Sequence, residues 1–271
     1  MKPVRLAAAL CALAAPLPAG GQAPAIADNS FLIEEAYNQE PGVVQHISAF
    51  QLFRGADSWA YSFTQEWPLF GRHHQLSFTL PIRRTHDGSS AATGLGDVAV
   101  NYRFQLAGAE RVSVAPRLSL LLPTGRAKSD LGAGALGVQA NLPVSVAVAN
   151  PVVTHWNAGA TVTPSAQNAV GDEAMTVAYN LGASVVWLAR PAFNVLLEVV
   201  WTRDETVTGP GRTGASDGLS ISPGIRWAHT FASGLQIVPG IAFPIGAGPS
   251  AGADAVFLYL SFEHPFRSGE R

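Results

Sequence analysis

The sequence predicts an all-β protein, a closed antiparallel transmembrane β-barrel of about twelve strands in up-and-down order. Three observations predict it. Stretches of about ten residues alternate apolar and polar side chains from Val43 onward, and about ten residues is what a tilted strand needs to cross a bilayer. The connections between these stretches are short on one side and long on the other. Aromatic residues collect at the stretch ends, on the apolar parity.

The clearest stretch is Gly94–Gly125, GLGDVAVNYRFQLAGAERVSVAPRLSLLLPTG, two strands around an expected tight turn at Ala107–Glu110. Val98, Val100, Tyr102, Phe104 and Leu106 share one parity, with Asp97, Asn101, Arg103 and Gln105 on the other. After the turn Val112, Val114, Leu118, Leu120 and Leu122 share a face, opposed by Ser113, Arg117 and Ser119. Such alternation marks strands with one apolar and one polar face.

The N-terminus precedes this pattern. Lys2 and Arg5 form a basic region, Leu6–Ala15 a short apolar run, and Ala25-Ile26-Ala27 a cleavage site, so residues 1–27 are expected to be a secretory signal. An anchor helix is the other reading, but the run is too short to span. The single cysteine, Cys11, falls in that signal, and Leu10 before it poorly fits lipoprotein processing. The mature chain then offers no disulfide, redox centre or thiolate metal site. After residue 27 no run of about 18 apolar residues suggests a membrane helix. Residues 28–42, DNSFLIEEAYNQEPG, do not alternate. Ser30 is placed to cap a helical turn, Pro41-Gly42 stops it, and the segment has two equal readings: a periplasmic lead-in or a piece folded into the barrel mouth.

Residues 43–271 form the expected barrel. Its strands are Val44–Phe53, Trp59–Trp67, Gln75–Arg83, Leu95–Leu106, Val112–Leu122, Leu136–Val148, Val152–Val162, Met175–Trp187, Phe193–Trp201, Leu219–Trp227, Leu235–Phe243 and Ala255–Phe266. Connections after the even strands are short, as in Ala149–Pro151 and Leu188–Ala192. Most of those after the odd strands are long and rich in Gly, Ser, Thr and Asp: Arg84–Gly94, Pro123–Ala135, Thr163–Ala174, Arg203–Gly218 and Pro244–Asp254. Short turns opposite long loops are the outer-membrane pattern.

Trp67, Trp156, Trp187 and Trp227, with Phe104 and Phe193, sit at the short-turn ends. Trp59, Trp201 and Phe243 sit at the long-loop ends. Two aromatic girdles at headgroup level produce this distribution. Core tryptophans of a soluble sandwich have no reason to collect at strand ends.

Composition agrees. Charged residues are 13% of the 271 against an ordinary apolar share of 48%, which suits an outside facing lipid. The net charge of −2 gives no electrostatic case for nucleic acid. The expected surroundings are outer-membrane lipid and, during assembly, the barrel-assembly machinery.

In a barrel the polar parity lines the inside. The expected lumen set is Glu66, Asp97, Asn101, Arg103, Arg117, Asn141, Asn180, Glu198, Arg226 and Glu263, together with Gln139 and His155. Gly159, Gly182, Gly224 and Gly240 leave space on the same face. Counting from the turn places Arg117 opposite Ala99, within reach of Asp97, so an Asp97–Arg117 pair is expected in the wall. It either neutralises two costly charges or builds a selective constriction. About twelve strands imply a narrow lumen.

No catalytic constellation stands out. His155 and Asn157 share a face, but local spacing places no serine beside them. His73-His74 suits a solvated turn, and Asp172-Glu173 and Asp204-Glu205 suit solvated loops. HExxH and phosphate-loop patterns are missing, so no cofactor or metal is expected.

The stretches NSFLIEEAYNQEPGVVQHI, GLGDVAVNYRFQL and RLSLLLPTG resemble a bacterial family of outer-membrane proteins associated with the meta-cleavage pathway of phenol degradation and labelled as transporters. The likeness spans nearly the whole mature chain. The last strand resembles the insertion signal of outer-membrane barrels in general, but five residues, Arg267–Arg271, follow Phe266, a departure from the usual terminal Phe. The resemblance implies an outer-membrane barrel passing aromatic or other small hydrophobic compounds, and it carries over no binding residue. Three functions compete on the sequence: a narrow passive channel, a non-conducting structural or surface-interaction barrel, and a lipid hydrolase.

Overall fold

A computed structural model describes residues 29–86, 90–108 and 111–265. The expected signal with Cys11, the turn residues Ala109 and Glu110, and Phe266 with the five residues after it lie outside the described residues. Among those described, no helix is long and apolar enough to cross a membrane.

The strands close into one antiparallel barrel of 12 staves. In chain order they are β1 (Val43–Phe53), β2 (Ser58–Leu69), β3 (His74–His86), β4 (Ala91–Leu95 and Val98–Phe104), β5 (Val112–Val114 and Arg117–Leu122) and β6 (Gly137–Ala149). Then follow β7 (Val152–Gln167), β8 (Glu173–Arg190), β9 (Phe193–Gly209), β10 (Arg212–Trp227), β11 (Gln236–Ala242 and Ile245–Gly246) and β12 (Ala255–Pro265). Each stave pairs with its sequence neighbour. The first pairs with the last from Val43↔Pro265 to Phe53↔Ala255, so the barrel has no free edge.

Three long loops of the sequence reading prove to be mostly strand; in Arg84–Gly94 the β3–β4 ladder continues to His86↔Ala91. The β9–β10 ladder continues to Gly209↔Arg212, so Arg203–Gly218 is a hairpin extension turning at Pro210-Gly211. Likewise β7 and β8 run on to Gln167↔Glu173. Ladder hydrogen bonds do not need an apolar face, and the Thr and Val of DETVTG favour pairing beyond the apolar band.

The side-chain distribution is inverted relative to a soluble protein. The bulkiest fully buried side chains are Arg226, His155, Gln45, Gln75 and Glu198, whereas Leu118 and Trp156 are 53% exposed and Trp187 is 52% exposed. Water would penalise that outer surface and lipid would not. One inward apolar patch interrupts the polar lining: Val238, Ala242, Phe257 and Tyr259, with Ile47 and Ala49 beside them.

Candidate functional site

The barrel interior is organised around residues 29–39, which thread among the inward side chains without joining the sheet. A backbone inside a barrel still needs hydrogen-bond partners. Here the wall's side chains supply them. The N–H groups of Phe31, Leu32 and Ile33 all donate to Glu198 Oε1, at 3.0, 2.7 and 3.0 Å. Those of Glu34, Ala36 and Gln39 donate to Asn157 Oδ1, Ser145 Oγ and Gln75 Oε1 at 2.8, 2.8 and 2.7 Å. The carbonyls are met in turn. Arg226 donates to Asn29 O, Asn157 to Glu34 O, and Arg103 to Glu35 O and Tyr37 O.

The segment's side chains fill what the wall leaves open. A Cβ at Gly182 would run into Ile33, and one at Gly240 into Phe31; at Gly224 it would come within 2.9 Å of the Phe31 ring. Three of the four inward glycines therefore make room for this segment. Phe31 packs on the apolar patch, with its ring centroid 5.6 Å from that of Phe257 and 5.1 Å from that of Tyr259.

Glu34 is the electrostatic centre. Arg117 Nε donates to both of its carboxylate oxygens at 2.9 Å, Arg103 Nη1 approaches at 3.3 Å, and Asn141 Nδ2 donates at 2.8 Å. Burial by itself would raise the Glu34 carboxyl, but the Arg117 and Arg103 charges and the hydrogen bonds from Arg117 and Asn141 outweigh it and hold the group below its ordinary value of 4.5.

The expected Asp97–Arg117 pair does not form. Gly108 pairs with Ser113, and Arg117 stands opposite Arg103 rather than Ala99. The hairpin apex lies farther along the chain than a turn at Ala107–Glu110 would put it, which carries Arg117 away from Asp97. Arg117 takes Glu34 instead. Asp97 accepts the N–H groups of Gly125 and Ala133 at 2.9 and 2.7 Å. Thr124 Oγ1 donates to Gly96 O at 2.7 Å. These bonds clasp the connection from Pro123 to Leu136, whose Leu131 is buried, at the long-loop end of the barrel.

The other expected lumen residues lie as follows. Asn101 accepts from Arg117 and donates to Ser77. Glu66 lies 3.9 Å from Arg103. Asn180 donates to Asn141 Oδ1 at 3.3 Å, and Glu263 accepts from Gln45 Nε2 at 2.8 Å. Gln139 accepts from Arg117 Nη2 at 3.0 Å. His155 is fully buried, and Ser145 Oγ stands 2.7 Å from its Nδ1. Local spacing could not reveal that serine, because it comes from the neighbouring strand β6. The pair is enclosed beneath the segment, with Tyr37 edge-on to the imidazole.

Trp156, Trp187 and Trp227 stand out from the wall at its short-turn end, and Trp59, Trp67 and Trp201 are half-buried on the outer face. Toward the long loops the interior opens. One cavity of about 320 Å³ is floored by Leu32, Ile33 and Glu34 and walled by Asn180, Thr202 and Asp204. Another of about 470 Å³ is lined by Gln51, Ser62, Arg83, Thr85 and Phe257.

What the sequence reading missed is Glu34. The signal was there: Arg103 and Arg117, two inward cations, shared a single inward acid in their own hairpin, Asp97, and Phe31-Leu32-Ile33 is an apolar run too costly to leave in water.

No protein-family model and no curated protein sequence matches the chain. Solved structures do. An outer membrane channel from Pseudomonas putida F1 is 12% identical, with a TM-score of 0.61 over 84% of this chain and 97% of that one. The NanC porin is 7% identical, TM-score 0.52, over 82% and 98% of the two chains. The KdgM porin is 8% identical, TM-score 0.50, over 82% and 99%. At these identities the likeness is one of fold, a porin-like barrel.

Proposed function

We propose that this chain is an outer-membrane channel for small solutes, with residues 29–39 as a plug seated in its lumen. The carrying observation is how the plug is held. It joins no strand, so it can leave without breaking the barrel, and behind it lie polar walls continuous with the cavities at the long-loop end. The inverted exposure pattern supports the membrane setting, and the porin-like fold supports a channel over an enzyme. The lumen set of the sequence reading then acts in two ways: Glu198, Arg226, Arg103, Arg117 and Asn141 hold the plug, while Asn180 faces the permeant. The six tryptophans anchor the wall at the two lipid interfaces. The resemblance to the phenol-pathway family supports aromatic compounds among the permeants.

A second reading has its own observation. The plug fills the short-turn half of the lumen, which favours a non-conducting barrel. Planar-bilayer conductance of the mature protein, with and without residues 29–39, separates the two. A channel conducts more once the segment is deleted. A barrel that stays silent in both forms, while remaining folded, defeats the channel reading. The lipid-hydrolase reading has little support, because the Ser145–His155 pair faces inward and is shut off from lipid. Hydrolase activity that disappears with His155→Ala would restore it.

A further inference from the structure

Where the first and last strands meet, two histidines face each other on the outer surface of the barrel. On β1, Gln45 and Ala49 point inward, so His46 points out. On β12, Ser261 and Glu263 point inward, so His264 points out. Val44 pairs with His264 and His46 with Phe262, which makes the two imidazoles diagonal neighbours across the closing ladder. Their Nε2 atoms are 3.1 Å apart and the rings lie stacked, 5.3 Å between centroids. We propose that this pair is a binding site for a borderline-soft divalent metal, Zn²⁺ or Cu²⁺, bridging the first and last strands.

Three features support it. The Nε2 separation matches two ligands on one ion: cis ligands about 2.0 Å from a metal lie about 2.8 Å apart at a right angle and about 3.3 Å apart at a tetrahedral one. The tautomer is set correctly. His264 Nδ1 lies 3.3 Å from Pro265 O, and that carbonyl can only accept, so the bond places the proton on Nδ1 and leaves Nε2 as the acceptor of the bond from His46 Nε2–H, whose proton moves to His46 Nδ1 or to water when a metal takes its place. A backbone acceptor behind the second nitrogen is the usual support of a metal-binding imidazole. The place is also reachable. Both rings are only partly buried, near the short-turn ends of their strands, and Gln65 stands directly opposite His46 on β2. Water, the Gln65 amide oxygen or a lipid phosphate oxygen can complete the coordination. The site makes no use of the lumen and does not rest on the channel reading.

The test uses the mature protein, free of any histidine tag, in detergent micelles. ZnCl₂ and CuCl₂ are titrated by calorimetry. The thermal unfolding midpoint is followed, and the Cu²⁺ electron paramagnetic resonance spectrum is recorded. The expected result is one ion per barrel, nitrogen hyperfine splitting from two imidazoles, and a raised midpoint with Zn²⁺. His46→Ala and His264→Ala should each weaken binding about tenfold or more. His74→Ala, whose ring is engaged with Tyr102, should leave it unchanged. The histidine variants' folding is checked by their gel mobility before and after boiling. Folded variants that bind Cu²⁺ like the parent protein, or a parent that binds no ion, overturn the proposal.

Discussion

The two halves of the lumen are lined by the same kinds of side chain and use them in opposite ways. At the short-turn half, Glu198, Asn157, Ser145, Gln75 and Arg103 spend their hydrogen bonds on the backbone of residues 29–39, and the space is filled. At the long-loop half, Asp97 uses its carboxylate to hold a single connection at the rim, and the interior beneath stays open. A polar lining therefore does not by itself make an open pore. What decides is whether a segment with unpaired backbone groups arrives to use it. The three stretches that carry the family resemblance fall on these two devices. NSFLIEEAYNQ is the segment held in the lumen, while GLGD and LPTG meet at the Asp97 clasp.

The strongest way to break this contrast is to delete residues 29–39. Conductance should rise several-fold and the two halves should become alike, while the barrel keeps its heat-dependent gel mobility. A conductance present in both forms and unchanged by the deletion would mean that this segment is not the closure, whereas silence in both defeats the channel reading.

Next in size is Glu198→Ala. It strips the acceptor from three N–H groups, of which the buried one at Ile33 costs about 1–3 kcal/mol when left unmet and the part-buried ones at Phe31 and Leu32 cost less. The plug should become sensitive to added protease near Phe31, with the strand content by circular dichroism unchanged. Gly240→Val should act in the same direction by steric means, since its side chain would occupy the Phe31 seat. Burial of that ring contributes about 1.5–3 kcal/mol.

Acid sharpens the comparison more gently. The Glu34 carboxyl is held below its ordinary value of 4.5 by Arg117 and Arg103 against the opposing effect of burial. A depressed acid stabilises the seated state fully above that ordinary value, and the contribution is lost as pH falls through the lower, bound-state value. The Glu34 contribution to the plug's protease sensitivity should therefore be constant at neutral pH and appear below about pH 4. Glu34→Gln should remove most of this acid dependence. A parent protein whose plug responds to pH only above 6 would exclude Glu34 as the titrating group.

The smallest effects belong to the long-loop side. Asp97→Ala should raise hydrogen exchange in the connection Pro123–Leu136 and leave the plug as protected as before. Asp217→Ala removes the exposed ion pair with Arg203, 3.1 Å long, and should change stability by no more than about 1 kcal/mol in a denaturant titration.

Particular residues show how far the sequence reached. Strand number, order and facing were legible, because alternation states which side chain meets which solvent. Leu118 and Trp156 lie outward, Asn101 and Arg103 inward. The long-loop ends of β7 to β10 were not legible, since beyond the apolar band alternation no longer separates strand from loop. The Asp97–Arg117 pair failed because register depends on where a hairpin apex falls, and parity cannot fix that. The Ser145–His155 contact and the Glu34 cluster joined residues separated by 10 to 107 positions, a distance no local pattern spans.

By itself, then, the sequence determined the wall: two solvents, two alternating faces, and enough strands to close. Only the tertiary structure decided what the wall encloses. Filling a lumen depends on volumes and unmet backbone groups brought together from distant strands. The gaps at Gly182, Gly224 and Gly240 gained their meaning only when Phe31 and Ile33 were found inside them.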